Sequence, residues 1–279
     1  MIPKGQLLII GGKEDRHGNK PEMEEKNNDF SPNEILKLLV KSKSDRIEVI
    51  TVATSDPDDA KETYTKTFEK IGYTNFDFLD LNDDHCHTDY HLKRVKAAKA
   101  IFFTGGDQNK ICESLQQSVL VDILKKKYIE DENFMIAGTS AGAMCLPEIV
   151  ICDAVNGEAM LDHDIEFGTG LQLINNCIVD THFVHRGRFG RLAHATILHR
   201  QHWGIGLGED TALLIENGCK ATCKGSGMVV MINAKDIKHT NINSVKKGDP
   251  IYAENLKVNL LTDGCSVNLN NGEMRSYGN

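Results

Sequence analysis

The chain has 279 residues, 32 Lys and Arg against 40 Asp and Glu, and a formal net charge of −8. A chain of this length buries a full core without staples, and 40% hydrophobic with 26% charged residues is the composition of an ordinary soluble globular protein. The acidic balance argues against wholesale phosphate binding, because nucleic-acid partners usually carry a basic patch or stripe, and no stretch approaches the roughly 18 apolar residues of a membrane span.

Residues 6–10 form a short apolar strand ending in Gly11-Gly12. Four apolar residues followed at once by glycines and charges do not make a signal peptide. Residues 13–30 are polar and read as a long surface loop. Ser31-Pro32 suits the start of a helix, with Ser as N-cap and Pro at the first helical position, and Ile35, Leu38, Leu39 and Val40 give that helix its apolar stripe. Residues 46–53 read as a second strand, Pro57–Ile71 as a helix, 76–81 as a third strand, 91–98 as a helix and Ala100–Phe103 as a fourth strand. One helix is expected over 109–128, and a fifth strand over 134–137. Strands spaced by helices imply a mostly parallel sheet with helices on both faces, an α/β fold. Beyond about residue 204 the pattern changes to short apolar runs split by Gly, Asn and Asp. With no repeat and no linker, 1–279 reads as one domain with 216–279 as a β-rich C-terminal extension.

The eight cysteines are scattered and form no CxxC pair. They read as reduced, mostly buried thiols of a cytoplasmic protein. His85, Cys86, His87 and His91 lie among acidic residues, but their spacing fits no strong zinc signature and reads as a solvated loop. No GxxxxGK[ST] is present, and no GxGxxG follows the first strand, so no nucleotide cofactor is expected.

In a parallel sheet, ligands bind beyond the carboxyl ends of the strands. Three predicted strand ends carry unusual residues: Gly11 to Asp15, Thr104-Gly105-Gly106-Asp107-Gln108, and Gly138-Thr139-Ser140-Ala141-Gly142. The last has the small-x-Ser-x-small form of a nucleophile elbow, which lifts a Ser Oγ above the sheet on a tight strand-to-helix turn. The amide of Ala141 then faces the same point as an oxyanion donor, and the amides near Gly106 can complete the hole. A serine needs a base. Of the histidines, His182 stands out at the end of the apolar run 177–179. The carboxylate that orients it is open on these grounds among Glu158, Asp162, Asp164, Glu166 and Asp180. Gln108 can hydrogen-bond a substrate amide. Arg186, Arg188 and Arg191 read either as solvated arginines at a helix start or as a carboxylate clamp, for which the guanidinium fork is well suited.

Together the four segments Gly11-Gly12-Lys13-Glu14-Asp15, Thr104 to Gln108, Gly138 to Ala143, and Asp180-Thr181-His182-Phe183 with Arg186, Arg188, Arg191 and Leu192 resemble the cyanophycinases, serine peptidases whose wider group includes the aspartyl dipeptidases. The resemblance covers about residues 5–215. It implies a flavodoxin-like sheet related to the class I glutamine amidotransferase fold, a homodimer, no metal or other cofactor, and a Ser-His-Glu triad of Ser140, His182 and Glu158. It further implies oxyanion donors at Gly106 and Ala141 and substrate contacts from Gln108, Asp180, Arg186 and Arg191. The implied substrate is cyanophycin, a poly-aspartate backbone with arginine joined through each β-carboxyl, cut to β-aspartyl-arginine. The alternatives are an aspartyl dipeptidase on the same fold and a non-catalytic relative that binds such peptides.

Overall fold

The structure is a computed structural model that describes residues 1–16, 33–81, 88–116, 118–155 and 160–276. Its centre is Gln6–Ile10 (β1), whose last four residues are completely buried. An apolar run covered on both sides is what the middle of a parallel sheet requires. The chain continues through Ile47–Ile50 (β2), Pro57–Ile71 (α1), Phe76–Leu79 (β3), Asp89–Ala97 (α2), Ala100–Phe103 (β4), Gln108–Leu115 (α3), Val119–Glu130 (α4), Met135–Thr139 (β5) and the short Ala141–Met144 (α5). The strands pair in parallel in the order β1-β5-β4-β2-β3.

Side chains alternate faces along a strand, and β1 shows this directly. Leu7 and Ile9 pack with Val95, Ile111, Leu120 and Leu124 of α2, α3 and α4. Leu8 and Ile10 pack on the other side with Tyr64 and Phe68 of α1 and with Leu36. Helices therefore cover both faces. The start of α1 follows from its sequence: Asp56 caps it by accepting from the Asp59 amide at 3.0 Å, Pro57 takes the first turn, and Gly72 closes it at φ 92°.

Two expectations are corrected. The apolar stripe at 35–40 forms only a 3₁₀ turn, Leu36–Leu38, whose first residue is buried under the sheet; residues 31 and 32 lie outside the described residues. The helix expected over 109–128 is two helices. Ser118 starts the second by accepting from the Val121 amide at 3.2 Å, a local cap that interrupts an otherwise continuous helical pattern.

The second half opens with an antiparallel pair that the sequence pattern did not reveal, Ile149–Ala154 (β6) and Ile165–Thr169 (β7). Then come Cys177–Asp180 (β8), Phe189–Leu198 (α6), Trp203–Leu207 (β9), Thr211–Glu216 (β10), Lys220–Gly225 (β11), Val229–Asn233 (β12), Lys257–Leu261 (β13), Ser266–Asn268 (β14) and Met274–Arg275 (β15). Strand β10 pairs antiparallel with β1, and β11, β14 and β15 extend the same sheet outward. Strands β8 and β9 are parallel neighbours in a second sheet, completed by β12 and β13. No helix among the described residues is long and apolar enough to cross a membrane.

Candidate active site

Ser140 stands between β5 and α5 at φ 53° and ψ −119°. A non-glycine residue in such a conformation costs about 1–3 kcal/mol and persists only where its surroundings over-determine it. They do so here. The Ser140 amide donates to the Ile10 carbonyl at 3.0 Å, and its own carbonyl accepts from the amides of Ala143 and Met144. The following turn lies so close to β4 that a Cβ on Gly142 would stand 2.3 Å from the Phe103 carbonyl oxygen, so the second small residue of the elbow is a packing requirement.

His182 follows β8 and is also held at positive φ, 49°. Its amide donates to the Gly11 carbonyl at 2.8 Å, and the Phe183 amide donates to Leu207 at 3.0 Å, which ties the residue to the ends of both sheets. The imidazole rests on Gly12, where a Cβ would meet Cε1 at 2.4 Å. Its Nε2 is 2.9 Å from Ser140 Oγ, and its Nδ1 is 2.7 Å from Glu209 Oε1. Glu209 lies just beyond β9. Because Asp180 and Gly206 are register partners on parallel strands, the two chains leave the second sheet side by side and bring histidine and glutamate together.

The electrostatics suit a base. Burial pushes His182 below its ordinary pKa, the hydrogen bond it donates to Glu209 works the other way, and Arg186 adds to the depression. Burial alone would raise the Glu209 carboxyl, but hydrogen bonds from His182 and Lys13 outweigh it and hold Glu209 below its ordinary value. Lys13 Nζ sits 3.2 Å from the second carboxylate oxygen. An ionised Glu209 accepting from Nδ1–H leaves Nε2 as the lone-pair face toward Ser140. Cys145 is no competing nucleophile. It is fully buried, donates to the Gly142 carbonyl at 3.2 Å, and burial pushes its thiol far up.

Ser140 and His182 open into a cleft of about 340 Å³ whose walls include Lys13, Glu14, Arg16, Tyr64, Gly106 and Arg186. Lys13, Arg16 and Arg186 line it together with the carboxylates of Glu14 and Asp59. Of the residues expected at the site, Ser140, His182, Gly106 and Arg186 meet there, and Ala141 is the buried residue immediately after the serine. Three others are engaged elsewhere. Gln108 Nε2 donates to the Ile151 and Cys152 carbonyls of β6 at 2.8 and 3.2 Å, and Gln108 does not line the cleft. Asp180 is completely buried and accepts from Arg191 Nε at 2.6 Å and from Arg188 Nη1 at 3.1 Å, so Asp180 and Arg191 hold each other. Glu158 lies outside the described residues, and the carboxylate in contact with His182 is Glu209. Sequence reading missed it although Gly208-Glu209-Asp210 ends an apolar strand, the same signal that marks the other strand-end segments.

Residues 82–87, with His85, Cys86 and His87, lie outside the described residues. His91 sits 2.9 Å from Thr88 Oγ1. Among the described residues no group of three or more His, Cys, Asp or Glu is placed to hold a metal ion, and Cys112, Cys145, Cys152, Cys177, Cys219, Cys223 and Cys265 are free thiols.

An α/β scaffold that holds a strained serine against a buried imidazole at the carboxyl ends of its strands is that of a serine hydrolase. The sequence matches Peptidase family S51 over residues 18–222, a span that contains Ser140, His182 and Glu209, and the chain belongs to that family. It is 30% identical over 271 residues to the cyanophycinase of Trichormus variabilis, covering 95% of this chain and 86% of that protein. It is 28% identical to the cyanophycinase of Geminocystis herdmanii, covering 95% and 94%. Among solved structures, a peptidase from an acI-B1 Actinobacterium shares the fold at a TM-score of 0.62 and 21% identity over 96% of this chain and 97% of the other. A putative peptidase E from Listeria monocytogenes does so at 0.54 and 13%, over 79% and 98%.

Proposed function

We propose that the protein is a serine-type exopeptidase that hydrolyses cyanophycin to β-aspartyl-arginine dipeptides, with a triad of Ser140, His182 and Glu209. The observation that carries the reading is the chain of contacts Ser140 Oγ–His182 Nε2–His182 Nδ1–Glu209, at 2.9 and 2.7 Å, opening into a cleft ringed by Lys13, Arg16 and Arg186. Glu209 takes the role that the sequence motif had suggested for Glu158.

Ser140 Oγ attacks the backbone aspartyl carbonyl while its proton passes to His182 Nε2. The C–O bond forms, and the carbonyl electron pair moves to oxygen. The amides of Gly106 and Ala141 serve as oxyanion donors. A Cβ on Gly105 would lie 3.3 Å from Ser140 Cβ, so the glycine pair at the end of β4 lies against the nucleophile. Collapse breaks the C–N bond, and the leaving amine takes the proton from His182. Water then attacks the acyl-enzyme with His182 as base, releasing the carboxylic acid and restoring Ser140. Each substrate repeat carries a free arginine carboxylate, and Arg186, Arg16 and Lys13 supply the cations that receive it.

The test is incubation with insoluble cyanophycin, following soluble product by mass spectrometry. We expect β-aspartyl-arginine release, with Ser140→Ala slower by at least about a thousandfold while polymer binding persists. Cleavage confined to short Asp-initiated peptides would move the substrate to that of an aspartyl dipeptidase. Hydrolysis that survives Ser140→Ala would remove Ser140 from the nucleophile's role.

A further inference from the structure

One buried charge in the cleft has no part in this mechanism. Glu14 is 3% exposed and lies two residues beyond Gly12, at the carboxyl end of β1. Its Oε1 accepts from the Tyr64 hydroxyl at 2.7 Å, and its Oε2 accepts from Thr139 Oγ1 at 2.5 Å. A carboxylate is costly to remove from water unless its oxygens are satisfied, and here two hydroxyls satisfy it. Both donors are themselves fixed. Tyr64 is buried in α1, edge-on to Phe102 at 5.1 Å, and Thr139 is the last residue of β5.

Thr139 immediately precedes the strained serine, so Glu14 grips the entry strand of the elbow. The backbone bonds described above hold Ser140 from the β1 side and from α5. The Glu14–Thr139 bond adds a side-chain tether on the same strand, anchored through Tyr64 to a helix across the cleft. We propose that Glu14 is a positioning residue: by holding Thr139 it sets the direction in which Ser140 presents Oγ to His182. The inference rests on Ser140 being the nucleophile, but it does not depend on the identity of the polymer cut.

A probe that needs no peptide substrate separates the two. Purified full-length protein is treated with phenylmethanesulfonyl fluoride, and the rate of sulfonylation is read by intact mass. Oγ bonds to sulfur, fluoride leaves, and the proton passes to His182. Misplacement of reacting atoms by a fraction of an ångström is expensive in rate. Glu14→Gln, which removes the charge and leaves only one strong acceptor for two donors, should slow labelling by about tenfold or more. Thr139→Val, nearly isosteric, should slow it by a similar factor, while Thr139→Ser, which keeps the hydroxyl, should stay near the wild-type rate. The Glu14→Gln/Thr139→Val double variant should be no slower than the worse single one, because both changes cut the same tether. Labelling of Glu14→Gln or of Thr139→Val at the wild-type rate would overturn the proposal, as would losses that multiply in the double variant. If Glu14→Gln does not fold, the Thr139 pair decides alone: equal slowing in Val and Ser would attribute the effect to packing and refute the tether. A folded wild-type protein that is not labelled at Ser140 would instead bring down the nucleophile assignment, and this inference with it.

Discussion

At the scale of single residues, the proposed triad makes the state of His182 decide activity. Its neutral form is the base, and burial followed by the charge of Arg186 places its pKa below the ordinary 6.5, against the opposing pull of Glu209. Activity is therefore present above that lowered pKa and lost as pH falls through it. The acid limb of kcat/KM should lie below pH 6.5. Arg186→Gln removes a depressing charge and should move the limb upward. Glu209→Gln removes the group that raises the pKa, so its limb should move down, while kcat falls by on the order of a thousandfold or more because the amide no longer fixes the tautomer. A pH profile for Arg186→Gln superimposable on that of the wild type would show that the guanidinium does not act on the imidazole. Ser140 and His182 were legible in the sequence because each ends an apolar strand with an abrupt, locally encoded turn. Glu209 was not singled out, because its partnership with His182 is made across two strands that are neighbours in space and 27 positions apart in sequence.

At the scale of elements, the segment after β8 does more than present an imidazole. Asp180 is wholly buried, and Arg188 and Arg191 close on it from the start of α6; Arg188 also donates to the Thr181 carbonyl at 2.8 Å. The run of basic residues that read as a substrate clamp thus divides: Arg186 faces the cleft, while Arg188 and Arg191 fasten the strand end to the helix. Spacing alone could not divide them, because what separates them is a buried carboxylate reached only once β8 and α6 are packed. The pairing has a consequence for stability. Breaking a buried ion pair by removing one partner leaves uncompensated charge and costs roughly 3–5 kcal/mol. Asp180→Asn should therefore lower the melting midpoint by on the order of 10 °C and reduce kcat, since His182 is two residues away. Arg186→Gln, at an exposed position, should leave the midpoint within a degree or two (about 0.5 kcal/mol or less). Calorimetry of the two variants checks this, and equal effects would mean that Asp180 is not the anchor of the arginine pair.

At the scale of the molecule, the α/β half was legible because covered parallel strands leave continuous apolar runs. The second half was legible only as generally β-rich, because its strands are short and are divided among three sheets, a partition set by tertiary pairing. The family match ends at residue 222, inside β11, but the chain does not stop contributing there. Strand β11 covers β10 along its whole length, and β12 pairs with all five residues of β9, the strand that delivers Glu209. Val229, Met231, Leu261 and Val267 belong to the main core, and Val230 and Ile232 pack in the cluster that holds Phe183, the residue after His182. A protein ending at residue 216 would expose these faces of β9 and β10 and uncover both sheets beside the active site. We expect it to lose cooperative thermal unfolding, measured by circular dichroism, and to lose hydrolysis with it. If that protein melted cooperatively and still cleaved its substrate, residues 217–279 would be an appendage. Loss of both would make them the closing layer of the catalytic domain, and would place the limit of the folding unit well past the end of the family match.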